Sequence, residues 1–562
     1  MTNIKSRYLG AGSGVPLTRR RLLRGATVGA AAGGLLLAGC GRGRGGSPAA
    51  KTSDSGSQAK PKPGGVLNLR IFTDFFDFDM SYSGKSTPNA NAATLAYDTL
   101  LGFQQGPGQA YDQMVLTPRL AERWEVSPDA TTFTFHLRKG VKVANLPPVS
   151  GREFTSADVK WNLEYNSRSG QFKDKKLPEP NFGWMLEGLD SIQTPDPYTA
   201  VVRFAKPFAP FLNYTYTYAL VMAPHEIVDQ YGNLKDHMVG TGPYQLESAS
   251  SQKGTRWVFK KNPDYWEAGK PYLDEIRYLV VSDDSAAYTA FQAKQLDLIS
   301  LIDPKAAQDI QRNNPEAVTQ ASVDPVPDNL YMSVRRPPFN DERLRRAVSL
   351  GIDRDEFDKV LADGKGGWAL SFAFPDSWTQ AEVKQILKYD PQQASRLVAD
   401  AGFPNGLAVD FMFRAGANQT AAQLLQAQLK KVGINVSIKP VDKAAGAERL
   451  YKGDFSMIEL YENTYADPDS VLYGQNYSTS SADWIGVTDP KLDQLIDTQR
   501  READAGKRRE AVRAASRYIA DNALSLALWR RAQYEFWQPY LKGYASHWQQ
   551  NNFNAPNIWL EK

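Results

Sequence analysis

Apolar and polar side chains begin to alternate at Val66, with Leu67, Leu69 and Ile71 on the chain that follows. Thr199 to Phe204 and Arg256 to Lys260 read as further strands, and the alternation itself returns from Thr131 to Leu137 and from Glu275 to Val281. This period of two marks strands with one buried face. A period near 3.6 takes over in between. Thr155 with Asp158 three residues on starts a helix whose buried stripe carries Val159 and Leu163. Asp341 to Ile352 sets Leu344, Ala347, Val348 and Ile352 at helical spacing. Asp353 caps a further helix with Phe357, Val360 and Leu361 inward, ended by Gly364. Asp390-Pro391-Gln392-Gln393 places an aspartate cap before a proline at the first helical position, with Leu397, Val398 and Ala401 as the stripe. There follow a strand (Leu407, Val409, Phe411, Phe413 inward), a helix (Ala421, Leu424, Leu425, Leu429, Val432) and a strand (Ile434, Val436, Ile438). Such a unit implies parallel strands in a covered sheet. A long helix is predicted from about Gly506 to Asn522. No repeat period is visible, which argues against a solenoid.

At 562 residues the chain is too long for one hydrophobic core, and two or three domains are expected. Its 42% hydrophobic and 23% charged residues place it with ordinary globular proteins. One cysteine permits neither an internal disulfide nor a thiolate metal site. The four histidines, at 136, 225, 237 and 547, lack metal-ligand spacing and read as scattered surface or capping residues. The sequence holds no Gly-x-x-x-x-Gly-Lys phosphate loop and no Gly-x-Ser-x-Gly nucleophile turn. No catalytic residue, cofactor or metal is therefore expected, and any ATP hydrolysis belongs to a partner subunit.

The cysteine, Cys40, closes Leu37-Ala38-Gly39-Cys40. Upstream lie the basic run Thr18 to Arg24 and a short, small-residue apolar stretch from Gly25 to Gly39. A basic segment, a short apolar segment and a small-residue exit describe an export signal. The stretch is shorter than the roughly 20 residues that span a bilayer. The paired Arg19 and Arg20 resemble a twin-arginine signal. The ending resembles a bacterial lipobox, in which Cys40 is lipidated and becomes the new N-terminus; the alternative is a buried core cysteine. Residues 1–39 are thus expected to be a removed signal peptide. Residues 40–63, poor in apolar side chains, are expected to be a lipid-anchored flexible linker. Residues 1–39 carry Lys5, Arg7, Arg19, Arg20, Arg21 and Arg24 and no acid, so their removal takes the formal charge from +4 to −2. No basic footprint remains for nucleic acid.

The order of local motifs is distinctive. Leu116 to Glu125, Ser127-Pro128-Asp129-Ala130-Thr131, Leu137-Arg138-Lys139-Gly140-Val141 and Phe154 to Val159 follow in sequence. Gly240-Thr241-Gly242-Pro243-Tyr244, Asn262-Pro263-Asp264-Tyr265-Trp266 and Pro338 to Ala347 come later. Together they resemble family 5 extracytoplasmic solute-binding proteins, the receptors of dipeptide, oligopeptide and nickel ABC importers, from about residue 64 to 555. The resemblance implies an α/β, class II periplasmic-binding-protein-like fold: two lobes with a hinge plus an extra inserted α+β domain. Residues 64–104, 241–325 and 523–562 would form lobe 1, 105–240 the inserted domain, and 326–522 lobe 2. It also implies a monomeric, extracytoplasmic receptor that is not an enzyme. Such a receptor holds a small solute between its lobes and delivers it to ABC permease and ATPase subunits. The signature block and the Gly-Pro and Asn-Pro turns read as folding motifs.

In peptide-binding members one segment resembles Trp-x-Ala-Asp-Tyr-x-Asp-Pro, whose first aspartate pairs with the ligand's amino terminus. Here the matching run is Tyr461-Glu462-Asn463-Thr464-Tyr465-Ala466-Asp467-Pro468-Asp469, and Thr464 takes the aspartate's place. A hydroxyl brings no charge, whereas a charge-assisted bond to an ammonium is roughly twice as strong as a neutral one. Glu462 is a substitute acid on the same strand face. Asp467-Pro468-Asp469 also reads as a capped helix start. Tyr461, Glu462, Asn463, Thr464, Trp484 and Trp368 are the candidate ligand residues, with Trp378 and Tyr465 as further aromatics of the second lobe. Peptides rank first as ligand, oligosaccharides second, opines and metal chelates third; a secreted hydrolase is the rival from another class.

Overall fold

The computed structural model describes residues 60–75, 77–82, 87–371, 373–374, 377–414, 419–441, 446, 449–450, 452–461, 467–480, 485–548 and 554–562. The signal-like segment with Arg19 and Arg20, and Cys40, lie outside them. Among the described residues no helix is long and apolar enough to cross a membrane.

In chain order the strands are β1 (Val66–Ile71), β2 (Leu101–Phe103), β3 (Leu116–Pro118), β4 (Ala121–Val126), β5 (Thr132–Leu137), β6 (Leu189–Asp196), β7 (Thr199–Phe204), β8 (Tyr244–Leu246) and β9 (Arg256–Lys261). They continue as β10 (Glu275–Val280), β11 (Leu298–Leu301), β12 (Val318–Met332), β13 (Leu407–Arg414), β14 (Ile434–Val441), β15 (Met457–Tyr461), β16 (Ser525–Trp537), β17 (Leu541–Lys542) and β18 (Trp559–Leu560). Ten of them form one mixed sheet in the order β14-β13-β15-β12-β16-β11-β1-β10-β9-β8. At one end β1 runs parallel to β10 and β11. At the other, β13 runs parallel to β14 and β15. The predicted strand-helix-strand unit is there, with helix Gln419–Lys431 joining β13 to β14. Leu407, Val409, Phe411 and Phe413 are all buried.

The two ends of the sheet are the cores of two lobes. Between them run the two longest strands, β12 and β16, paired antiparallel from Val318–Trp537 to Tyr331–Ser525. At its far end β16 also pairs with β11 of the first lobe, and β12 pairs with β15 of the second. Their register breaks between Val323 and Pro327 and again at Asp328–Asn329. Pro325 and Pro327 lie at the first break, where a strand tolerates residues without an N–H. A pair of strands crossing between lobes with its ladder interrupted at the crossing is a hinge.

A separate antiparallel sheet, β4-β5-β7-β6, carries helix Ser156–Ser167. Asp158 Oδ2 accepts from the Thr155 backbone N–H at 2.8 Å, closing the predicted capping box, and Arg152 forks the same carboxylate at 2.6 and 2.9 Å. Buried residues of this sheet (Phe133, Phe135, Val202) belong to one continuous core with Leu67, Leu69 and Ile276 of the first lobe. The four-stranded region and the first lobe therefore form a single packed body. The second lobe has its own core around Leu344, Val348, Phe411 and Leu429.

Two local expectations change. Val360 is 47% exposed, not inward. The buried stripe of helix Arg354–Ala362 is Arg354, Phe357, Asp358 and Leu361, at i, i+3, i+4 and i+7, and Val360 falls off that phase. Gly240 and Gly242 serve close approach rather than turn geometry. A Cβ on Gly240 would meet the Ala96 carbonyl oxygen at 2.4 Å, and one on Gly242 the Leu95 carbonyl oxygen at 2.4 Å.

Candidate ligand cleft

Open α/β sheets receive ligands outside the carboxyl ends of their parallel strands. In the first lobe β1 and β11, neighbours in the sheet, end at Ile71 and Leu301. The residues immediately beyond, Phe72 and Ile302, are 55% and 43% exposed. Two large apolar side chains left bare on adjacent strand ends are a surface suited to a ligand. In the second lobe β13, β14 and β15 end at Arg414, Val441 and Tyr461. Tyr461 thus stands at the carboxyl end of β15. Its side chain lies outside what is described, as do Glu462, Asn463, Thr464, Tyr465 and Trp484.

Beside the hinge is a cavity of about 230 Å³ walled from both lobes. Asp112 comes from the first-lobe side, Pro325 and Arg530 from the crossing strands, and Trp368, Trp378 and Gln380 from the second lobe. Trp368 is a buried wall, packed with Leu370, Val383, Leu387 and Ala527. Its indole N–H donates to Asp355 Oδ1 at 2.9 Å, and Lys384 sits 5.0 Å from the ring centroid. Its backbone N–H donates to Gln380 Oε1 at 2.8 Å, and Gln380 Nε2 donates back to its carbonyl at 2.7 Å. One ring is thereby fixed in orientation. Trp378 is held by Arg513, whose guanidinium lies 3.9 Å from the ring centroid. Arg530 is aimed by donating its Nε–H to the Asp324 carbonyl at 2.7 Å, and Tyr111 donates to the Asp324 carboxylate at 2.5 Å.

A second cavity, of about 220 Å³, opens on the first-lobe side and is lined by Arg70, Phe72, Gln105, Glu535, Tyr544 and His547. Burial pushes the Glu535 carboxyl up to about 7, although it accepts a hydrogen bond from the Tyr544 hydroxyl. His547 is buried, not a surface residue, and shares a 2.7 Å hydrogen bond with the Gln113 carbonyl; burial lowers its pKa. The other three histidines sit by acids or rings: His136 beside Glu125, His225 beside Asp229, and His237 stacked on Tyr231. Among the described residues no group of three or more His, Cys, Asp or Glu is placed to hold a metal ion.

Sequence reasoning named Trp368 and Trp378 but missed Asp112 and Arg530, which reach the cavity only through the sheet topology. Pro325 did leave a signal, since a proline pair inside a strand marks a bulge. Helix Asp469–Asn476 starts at the Asp-Pro-Asp run, where Pro468 precedes its first residue and Asp467 Oδ1 accepts from the Asp469 backbone N–H at 2.8 Å. Both aspartates are wholly buried away from solvent.

The comparisons agree with this architecture. The model for bacterial extracellular solute-binding proteins, family 5 Middle, matches residues 115–483, about two thirds of the chain. The glutathione-binding protein GsiB of Salmonella choleraesuis is 29% identical over 399 residues, covering 70% of this chain and 72% of its own. The dipeptide-binding protein of Escherichia coli is 26% identical over 488 residues, 82% of this chain and 88% of its own. Two solved structures share the fold at a TM-score of 0.75. The ABC transporter-associated periplasmic binding protein DppA of Helicobacter pylori, with the peptide STSA, is 24% identical and covers 89% of this chain and 99% of its own. The oligopeptide-binding protein AppA of Bacillus subtilis, with a nonapeptide, is 19% identical and covers 90% and 100%. With its sheet halves joined through two interrupted strands and a cavity walled from both, the chain belongs to the bacterial extracellular solute-binding proteins of family 5.

Proposed function

We propose that this protein is the receptor of an ABC importer and that it captures a peptide between its lobes. The observation that carries the reading is the hinge-side cavity. A solute that touches Asp112 on one side and Trp368 and Trp378 on the other gains contacts only when the lobes are together. Binding and closure then share one free energy. The named ligands of the relatives, glutathione and dipeptide, supply the peptide class. We assign residues 64–104, 241–325 and 523–562 to the first lobe and 326–522 to the second, with 105–240 inserted. Cys40 is the lipid attachment point after removal of residues 1–39, which ties a monomer to the outer face of the membrane beside its permease and ATPase. The reaction performed is binding alone, with no catalysis.

Tyr461, Glu462, Asn463 and Thr464 contact the ligand backbone, and Trp484, Trp368 and Trp378 its side chains. A short oligosaccharide is the second reading. It is favoured by the two indoles on one cavity and by a threonine where an amine-binding acid is expected. A thermal-shift screen of di- to pentapeptides against short glycans separates the two. A true ligand at about 100 times its Kd adds roughly 2.7 kcal/mol of stability. Shifts with peptides and none with glycans support the first reading; the reverse supports the second, and a flat screen on both counts against capture.

A further inference from the structure

The body that contains the four-stranded sheet touches the second lobe at a buried cluster of charges and polar groups. In the second lobe Arg508, on helix Ala505–Asp521, forks the Asp467 carboxylate at 2.6 and 2.8 Å. Arg500 lies 3.4 Å from Asp469. Both acids are fully buried, and Arg500 and Arg508 are nearly so. The other side supplies polar caps. Asn213 Nδ2 donates to Asp467 Oδ2 at 2.8 Å, and the Tyr214 hydroxyl donates to Asp469 Oδ2 at 2.8 Å. The Ala209 backbone N–H donates to the Arg500 carbonyl at 2.8 Å. The Arg500 guanidinium bonds Glu187 at 2.7 Å and lies between the Phe208 ring, 4.8 Å away, and the Tyr473 ring, 3.6 Å away.

The distribution of charge is asymmetric in a telling way. Each buried acid already has its arginine on its own lobe, so separation of the lobes strands no unpaired charge. What separation breaks is a set of bonds from neutral donors, plus the one that Arg500 donates to the Glu187 carboxylate, an acid half exposed in any case. An interface built from permanent ion pairs would resist opening, because parting them leaves bare buried ions. This one has a modest cost to part and regains its bonds on closing. The four-stranded region shares a core with the first lobe, so it travels with that lobe when the hinge moves.

We propose that Asn213, Tyr214 and Glu187, meeting Asp467, Asp469 and Arg500, form a reversible latch that holds the lobes shut from outside the ligand cavity. The latch gives the empty receptor a substantial closed population. Asp467 stands three residues after Thr464, on the same run whose earlier part is the candidate ligand segment. Ligand and latch therefore act on one stretch of chain. The latch belongs to the empty protein, so it stands or falls independently of which solute is bound.

The test uses the full chain with Cys40→Ser and spin labels on two exposed lysine positions, Lys173→Cys and Lys430→Cys. Electron–electron distance distributions are recorded without ligand. A closed population is expected in the otherwise unaltered protein. Asn213→Ala with Tyr214→Phe should shift the closed-to-open ratio at least about tenfold toward open, because each loses a bond to a charged acceptor. Tyr214→Phe alone, which keeps the ring and its packing, should give a smaller shift in the same direction, as should Glu187→Gln. Circular dichroism confirms that each variant is folded. Distributions unchanged by all three, or an empty unaltered protein that is wholly open, would overturn the latch.

Discussion

Glu535 offers the sharpest quantitative test. It lies on β16, one of the hinge strands, is 2% exposed, and borders the first-lobe cavity. Burial, opposed only in part by hydrogen bonds from Tyr544 and Ser546, raises its pKa from an ordinary 4.5 to about 7. In the unfolded chain the carboxyl ionises near its ordinary value. Between pH 4.5 and 7 the native state thus holds a proton that the unfolded state has released, and stability falls as pH rises through that window. Every tenfold difference in proton affinity between the two states is worth about 1.4 kcal/mol, which gives a loss of about 3 kcal/mol by pH 7 and a plateau above it. Glu535→Gln keeps the size and an acceptor for the Tyr544 hydroxyl but cannot ionise. Urea midpoints of both proteins at pH 5, 6, 7 and 8 read out the difference. The variant should be close to the unaltered protein at pH 5 and should overtake it progressively to pH 7. Parallel midpoint curves, or a variant that loses stability at pH 8, would refute the assignment of a neutral buried carboxyl.

Other outcomes follow from individual contacts. Gly242→Ala should destabilise by about 1–3 kcal/mol in chemical unfolding, because its Cβ has no room against the Leu95 carbonyl. Arg531 forks Asp328 at 2.6 and 2.7 Å inside the hinge, and Asp328 is fully buried. Arg531→Met should therefore cost about 3–5 kcal/mol by leaving that carboxylate unpaired, and Asp328→Asn in the same protein should recover part of the loss. Trp378→Ala should weaken binding of whichever peptide scores in the thermal-shift screen by tenfold or more in calorimetry, with a drop of only a few degrees in Tm. Tyr461→Ala and Trp484→Ala should do the same, and normal binding by both would remove them from the ligand surface.

Much of the scaffold is legible locally. Asp390 before Pro391, the capping box of Thr155 and Asp158, and the inward run Leu407, Val409, Phe411 and Phe413 each state their own structure, because capping and alternation act within a few residues. Val360 shows the limit: an apolar residue two positions past the Phe357–Asp358 stripe looks inward by composition but not by phase. The glycines at 240 and 242 show another. Their requirement comes from the carbonyls of Leu95 and Ala96, well over a hundred residues away, which no local pattern reveals. The cleft is the least legible part. Asp112 and Arg530 meet Trp368 only because β12 and β16 cross between the lobes, and pairings of such long range carry no periodic signature. The same is true of Asn213 and Tyr214 against Asp467 and Asp469. There the sequence shows a helix start, and only the packing shows that its acids also face another part of the chain.

Solute capture by closure about β12 and β16 is the claim on which the functional account rests. Small-angle X-ray scattering of the protein lacking residues 1–39, with and without a saturating peptide that gives a thermal shift, tests it most directly. The account predicts a smaller radius of gyration in the bound sample. Superimposable scattering curves from samples shown by calorimetry to be empty and fully occupied would contradict it.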